Sequence, residues 1–359
     1  MYQARSRGVL TPILLGLALF TFAACDSTSS KPELSAEASS YLTAALDTME
    51  AHHVDRKEVN WSSFRANVRT QAEGADTPRD TYDAIQFALD RLDDHSSFAP
   101  PSKSPSRNRR SSPNASFPPT TRLPSLLSTQ LQGKQRIEGF RFGSTVGYIN
   151  LPNFSGEERA ATSFAEEIQE TIQRVDSSTV CGWIVDLREN PGGNMWPMIA
   201  GMGPVVGEGH LGSFVYPDSD TLKWFYEAGA SVYGDQPVVS VPGSSYELHR
   251  SFPPVAVLIG ERTASSGEAV AVAFQGRDQT RTFGHPTYGV PTAIAPFPLR
   301  DGAELFLAVA AFADRTGTTY RSPIVPDVRA APPPPNEPSP NDDIVGTARQ
   351  WLTEQPNCY

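Results

Sequence analysis

Cysteine and histidine are scarce in this 359-residue sequence, with three of the first and six of the second. So few cysteines exclude a small disulfide scaffold, and neither a Cys-x-x-Cys nor a His-Glu-x-x-His spacing is present to suggest zinc. Basic residues are outnumbered: 30 Lys and Arg face 40 Asp and Glu, a formal net charge of −10. That balance argues against the clustered cationic face needed to grip phosphates, so no nucleic-acid partner is expected. Metal and organic cofactors are not expected either. No apolar run is long enough to span a bilayer comfortably, and no internal repeat is visible. What is present is a chain 39% apolar, enough for a sizeable core, with length for one large domain or two modest ones.

The N-terminus addresses the chain. Arg5 and Arg7 precede the short apolar run Val9 to Phe20, which closes on Phe22-Ala23-Ala24-Cys25. A basic stub, a brief apolar stretch and small residues describe a secretory signal over residues 1–25. The Cys after two alanines resembles a bacterial lipobox, although Phe22 stands where that motif has Leu. The resemblance implies lipidation at Cys25, a tether over 26–33, and a body held at the extracytoplasmic or periplasmic side of the bacterial envelope. An ordinary cleaved signal with an incidental Cys is the alternative.

Residues 34–98 read as a three-helix bundle. Tyr41, Leu42, Ala45, Leu46 and Met49 form one apolar stripe. Asn60 caps a second helix carrying Trp61, Phe64 and Val68, and Thr77-Pro78 opens a third with Ile85, Leu89 and Leu92 inward. Residues 99–140 are dominated by Pro, Ser and Arg, without apolar period, and read as a loop or lid. Strand-like and helix-like segments then alternate over 141–330, the pattern of an α/β core. Val146 to Leu151, Val180 to Leu187, Val255 to Ile259 and Leu305 to Phe312 are strands, and Ser155 with Glu158 forms a capping box. Gly203 to Phe252 reads as less regular. Cys181, in a buried strand, is expected to be a small core residue; Cys358 has no reading. Residues 331–359 are a Pro-rich segment followed by an amphipathic helix with Ile344, Trp351 and Leu352.

Three segments at element ends carry chemistry. Thr263-Ala264-Ser265-Ser266-Gly267-Glu268 lies between the strand at 255–259 and a helical run. A Ser at such a corner displays its hydroxyl beside the unpaired N–H groups of a helix start, which suits a nucleophile with half an oxyanion hole. Plain helix capping by Ser is the bland alternative. Asp186 to Asn194 contains Asn190-Pro191-Gly192-Gly193, a turn that can aim a main-chain N–H into a cleft with no Cβ in the way. His95, just past the third helix, is the third, since a neutral imidazole can accept a hydroxyl proton near pH 7.

Taken in order, Asp-Leu-Arg-x-Asn-x-Gly-Gly, Thr-Ala-Ser-Ser-Gly-Glu, Gly284-His285-Pro286-Thr287-Tyr288-Gly289 and Val325-Pro326-Asp327 resemble the tail-specific (C-terminal processing) serine peptidases, from about Val146 to Asp327. The resemblance implies a Clp protease/crotonase-like spiral core and a polypeptide or peptide substrate. It makes Ser265 the nucleophile, with Ser266 and either Gly192 or Gly193 supplying oxyanion N–H groups. Many members place a Lys base where this chain has Val290. A PDZ-less branch, which includes tricorn-protease cores and nisin-resistance proteins, takes a His from the segment before the core. Leu92-Asp93-Asp94-His95-Ser96 is similar to that segment, so His95 becomes the base. Only 50 residues separate His95 from Val146, too few for a PDZ module beside the loop. Glu268 is the candidate for electrostatic support of the site, against simple compensation of the helix dipole.

Two other classes compete. A non-catalytic protein that binds apolar ligands or peptides on the same scaffold would resist covalent probes. An α/β-hydrolase esterase would need His285 as its base, but Thr263 replaces the first Gly of its Gly-x-Ser-x-Gly elbow. Oligomeric state has no signature here.

Overall fold

The computed structural model describes residues 33–92, 95–101, 136–156, 158–218, 220–243, 245–329, 343–356 and 358. The signal segment with Cys25, most of the tether, Asp93 and Asp94, the Pro/Ser/Arg stretch 102–135 and the Pro-rich stretch 330–342 lie outside them.

Three helices lead: α1 (Ala36–His52), α2 (Trp61–Gln71) and α3 (Tyr82–Leu92). The expected cap at Asn60 is in place, and Ser35, which had no sequence reading, caps α1. Ser35 Oγ accepts from the Ala38 N–H, and Asn60 Oδ1 from the Ser63 N–H. Thr77-Pro78 opens a short 3-10 turn that runs straight into α3. The helices do not enclose a core of their own. Their buried residues (Tyr41, Leu46, Phe64, Leu89 and others) belong to the main apolar cluster of the α/β body.

That body contains two sheets. The first, six-stranded among the described residues, is built from β2 (Gly139–Phe142), β3 (Val146–Asn150), β4 (Gly182–Asp186), β9 (Val255–Ile259), β10 (Thr280–Gly284) and β14 (Val328–Arg329). Its strands from β14 to β3 run parallel, and β2 closes the far edge antiparallel. β4 and β9 are buried at every position because both faces are covered. On one face lie α4 (Glu158–Val175) and α5 (Met195–Val206); on the other, α7 (Asp343–Thr353) packs Ile344, Val345, Ala348 and Leu352 onto Ile184, Ala256 and Leu258. α4 starts at Glu158, two residues later than a cap at Ser155 implies.

The second sheet corrects the reading of 203–252 as irregular. β5 (Gly209–Val215), β6 (Thr221–Glu227), β7 (Ala230–Tyr233) and β8 (Gln236–Ser240) form an antiparallel meander that continues from β12 (Glu304–Asp314). β1 (Ser97–Ala99) pairs with the same edge of β12 as β5, while β11 (Thr292–Pro298) and β13 (Thr319–Tyr320) pair with the opposite edge. The helix α5 also left no periodic signal, because it is buried almost all round and carries Pro197, Gly201, Gly203 and Pro204. Its glycines exist for closeness: a Cβ on Gly203 would stand 1.8 Å from the Tyr226 ring.

Cys181 is buried as expected, but it is bonded to Cys358, which staples the end of α7 to the start of β4. Among the described residues no helix is long and apolar enough to cross a membrane.

Candidate active site

β9 ends at Ile259, and a five-residue turn leads to Ser265 and helix α6 (Ser266–Phe274), which packs between the two sheets. Thr263 fixes the turn: its hydroxyl donates to Leu187 O at 2.8 Å and accepts from the Gly260 N–H at 3.0 Å. Ser265 itself takes φ +52° and ψ −116°, a left-handed conformation that a side chain enters only when its surroundings impose it. The residue is 1% exposed, and its Oγ has no hydrogen-bond partner among the described residues. The corner has the layout of a capping box, with the Ser265 side chain facing the Glu268 N–H and the Glu268 carboxylate holding the Ser265 N–H, but the Oγ contact falls short of a hydrogen bond. An unpaired buried polar atom costs about 1–3 kcal/mol, so backbone strain and an unsatisfied hydroxyl coincide on one residue.

The Asn190-Pro191-Gly192-Gly193 turn, at the end of β4, leans on this corner. Asn190 Nδ2 donates to Leu151 O at 3.0 Å, and the Ala264 N–H donates to Asn190 O at 3.1 Å. Gly192 has φ +109°, and a Cβ there would come within 3.0 Å of Ser265 Cβ. Gly193, at φ +108°, has no room either: a Cβ would stand 2.0 Å from Phe154 O. The Ser266 hydroxyl donates to Gly193 O at 2.7 Å and ties this strand of backbone to the start of α6. The two glycines differ in one respect. The Gly192 N–H is held by Asn190 Oδ1 at 2.9 Å.

Glu268, fully buried in the first turn of α6, acts as a backbone clamp. Its Oε2 accepts from the N–H of Ser265 at 2.8 Å and of Val290 at 3.0 Å. Its Oε1 accepts from the Thr287 hydroxyl at 2.5 Å and the Gly289 N–H at 3.0 Å. Burial pushes the carboxyl up to about 7 although these four donors pull the other way. The segment 287–290 is thereby laid over the serine corner, a hold reinforced by the Tyr288 N–H on Thr263 O at 2.9 Å. Sequence reasoning placed Glu268 at the site but not this structural task.

His95 sits half-buried between α3 and β1. Its ring lies against the Thr292 hydroxyl, 3.3 Å from Nδ1 and 3.5 Å from Nε2. Thr292, the first residue of β11, donates its N–H to Val290 O at 2.8 Å, one residue's width from the Glu268 clamp. The imidazole and the serine corner therefore converge on the same short segment, although Ser265 Oγ is not hydrogen bonded to the ring. His285 follows β10 with its N–H on Ile259 O, and its Nε2 is buried with no hydrogen-bond partner among the described residues. Nearby, Asp186 is locked by Arg188 and by the Tyr148 hydroxyl at 2.9 Å. Thr287 and Thr292 were missed. The first stood inside a quoted motif, whereas the second had no sequence signal beyond opening a strand.

The model of the family described as peptidase family S41 matches residues 145–330. Nisin-resistance protein of Lactococcus lactis subsp. lactis is 30% identical over 234 residues, 64% of this chain and 65% of that protein. Chloroplastic carboxyl-terminal-processing peptidase 2 of Arabidopsis thaliana is 26% identical over 192 residues, 50% of this chain and 32% of its own length. The chain thus spans just under two thirds of the first relative and about a third of the second. Among solved structures, a lipoprotein from Streptococcus agalactiae superposes with a TM-score of 0.65 at 20% identity, covering 88% of this chain and 96% of that one. The likeness shows a shared fold.

Proposed function

The chain belongs to peptidase family S41, and from that premise we propose that it is a serine endopeptidase that cuts polypeptides or peptides near their C-terminal ends by a Ser–His acyl-enzyme route. Ser265 Oγ adds to the scissile carbonyl carbon, and His95 takes the hydroxyl proton. The ring returns that proton to the leaving amine as the carbon–nitrogen bond breaks, and water then repeats the sequence on the ester. The oxyanion is held by the Ser266 N–H and, because Asn190 occupies the Gly192 N–H, by the N–H of Gly193. Glu268 holds the backbone of the nucleophile and needs no direct part in proton transfer. The observation that carries the reading is Ser265: strained, buried, with an uncommitted hydroxyl at a helix start.

The same proposal places the enzyme outside the cytoplasm of a bacterium, tethered through a lipid on Cys25, with envelope polypeptides within reach. The Cys181–Cys358 disulfide supports an oxidising compartment. The test is covalent labelling by a fluorophosphonate together with cleavage of fluorescein-labelled casein. Wild type is expected to label and cleave, while Ser265→Ala abolishes labelling and lowers kcat/KM by at least about 10³-fold. Undiminished labelling of Ser265→Ala overturns the nucleophile assignment and turns attention to Ser266.

A further inference from the structure

We propose that Thr292 is the positioning residue for His95, and that a relay through Glu268, Val290 and Thr292 sets the imidazole against the nucleophile; this deepens the Ser–His reading and rests on it. His95 comes from the segment after α3, whereas Ser265 belongs to the core some 170 positions later in the chain. Something must fix one against the other to within a fraction of an ångström for proton transfer. Serine hydrolases of the Ser-His-Asp type use a buried carboxylate for this purpose. In this chain the carboxylate nearest the nucleophile, Glu268, directs its hydrogen bonds to Ser265, Thr287, Gly289 and Val290.

The described hydrogen bonds form a continuous path from the nucleophile to the ring. The Ser265 N–H donates to Glu268 Oε2, which also accepts the Val290 N–H; Val290 O accepts the Thr292 N–H; and Thr292 Oγ1 faces the ring. Every link but the last is a backbone group or a fully buried carboxylate, so the path is stiff. Thr292 is also anchored from the other side, since β11 pairs with β12 through Thr292 and Ala311. A hydroxyl serves at the end of such a path because it can accept from or donate to the ring while adding no charge. With Oγ1 3.3 Å from Nδ1 and 3.5 Å from Nε2, it stands close to both ring nitrogens and restricts the rotation of the imidazole. The side chain at the position where many family members carry a lysine, Val290, is apolar, and its main chain is given over to this support.

The test uses the purified full chain with Thr292→Val, which keeps the branched shape and removes the hydroxyl, and Thr292→Ser, which keeps the hydroxyl. Thr292→Val is expected to lower kcat for casein cleavage and the fluorophosphonate labelling rate about tenfold, with KM unchanged and Tm within a degree or so of wild type. Thr292→Ser is expected to recover most of both rates. Wild-type rates in Thr292→Val, or a Thr292→Ser variant as slow as Thr292→Val, overturn the positioning role. A His95→Ala variant read beside them separates the two layers. If it labels at the wild-type rate, the dyad itself falls; if it is silent while Thr292→Val is unimpaired, only the relay falls.

Discussion

At Ser265 the energetic conflict is concentrated in a single residue. A left-handed φ costs of order 1–3 kcal/mol for a residue with a Cβ, and the conformation persists because its neighbours allow no other. Glu268 grips the Ser265 N–H, Gly192 fits against the Ser265 Cβ, and Thr263 holds the preceding turn. The clamp has a measurable signature. With its folded-state value raised to about 7, Glu268 binds more protons in the folded chain than in the unfolded chain between its ordinary value and 7. Stability should therefore be fullest below about pH 4.5 and decline as pH rises through 7, by roughly 3 kcal/mol from this group. Melting temperatures followed over that range should show the decline in wild type and a flatter curve in Glu268→Gln, which is less stable at every pH for loss of acceptors. Equal slopes in the two proteins would contradict the assignment.

Much of this corner was legible in the residues themselves. Small residues and glycines at 190–193 and 263–267 follow from the close approach of two turns, and an Asn-Pro-Gly-Gly run has few other uses. That the Gly192 N–H is taken by Asn190 was not legible, because it depends on where the Asn190 side chain turns. Nor was the task of Glu268 readable, since its partners at 287–290 lie about twenty residues away and meet it only in the folded chain.

Among the elements, the β11–β12 hairpin bears most on the proposed Ser–His mechanism, because it joins the helices that precede His95 to the sheets that flank Ser265. Asp301, in its turn, accepts from the hydroxyls of Tyr41 on α1 at 2.8 Å and Tyr82 on α3 at 2.5 Å. The Val54 N–H donates to Ala308 O at 2.7 Å, and Ser96 Oγ accepts from the Ala308 N–H at 2.9 Å. Asp301→Ala should unhitch α1 and α3, with a loss of about 2–3 kcal/mol. Amide exchange in residues 36–92 is expected to quicken and kcat to fall together, because the imidazole rides on these helices. Unchanged exchange there would show that the hairpin is not their anchor. Helices α1 to α3 were readable from period and caps. The meander β5 to β8 was not, because its strands mix exposed and buried positions without strict alternation, as in Thr221–Glu227. Helix α5 hid for the opposite reason, burial without a polar face.

For the whole molecule, the Cys181–Cys358 bond closes a loop of 177 positions around both sheets. In the chain-entropy picture such a crosslink contributes up to about 5 kcal/mol by restricting the unfolded chain. The paired variant Cys181→Ser with Cys358→Ser is expected to melt several degrees lower while keeping its kcat at moderate temperature, since α7 covers the sheet face opposite α4 and α5. An unchanged melting temperature would remove the staple from the account of stability.

Local order and chemical vocabulary were written in the chain. Continuous apolar runs demand strands covered on both faces, caps demand helix starts, and the serine, glycine and histidine motifs were confined to element ends. Those are short-range properties, set by neighbours a few residues apart. The approach of His95 to Thr292, the hold of Asn190 on the Gly192 N–H, the grip of Glu268 and the crosslink beyond α7 were decided only by tertiary structure. Each depends on groups distant in sequence whose separation is fixed when apolar surfaces from the sheets and the helices around them exclude water together.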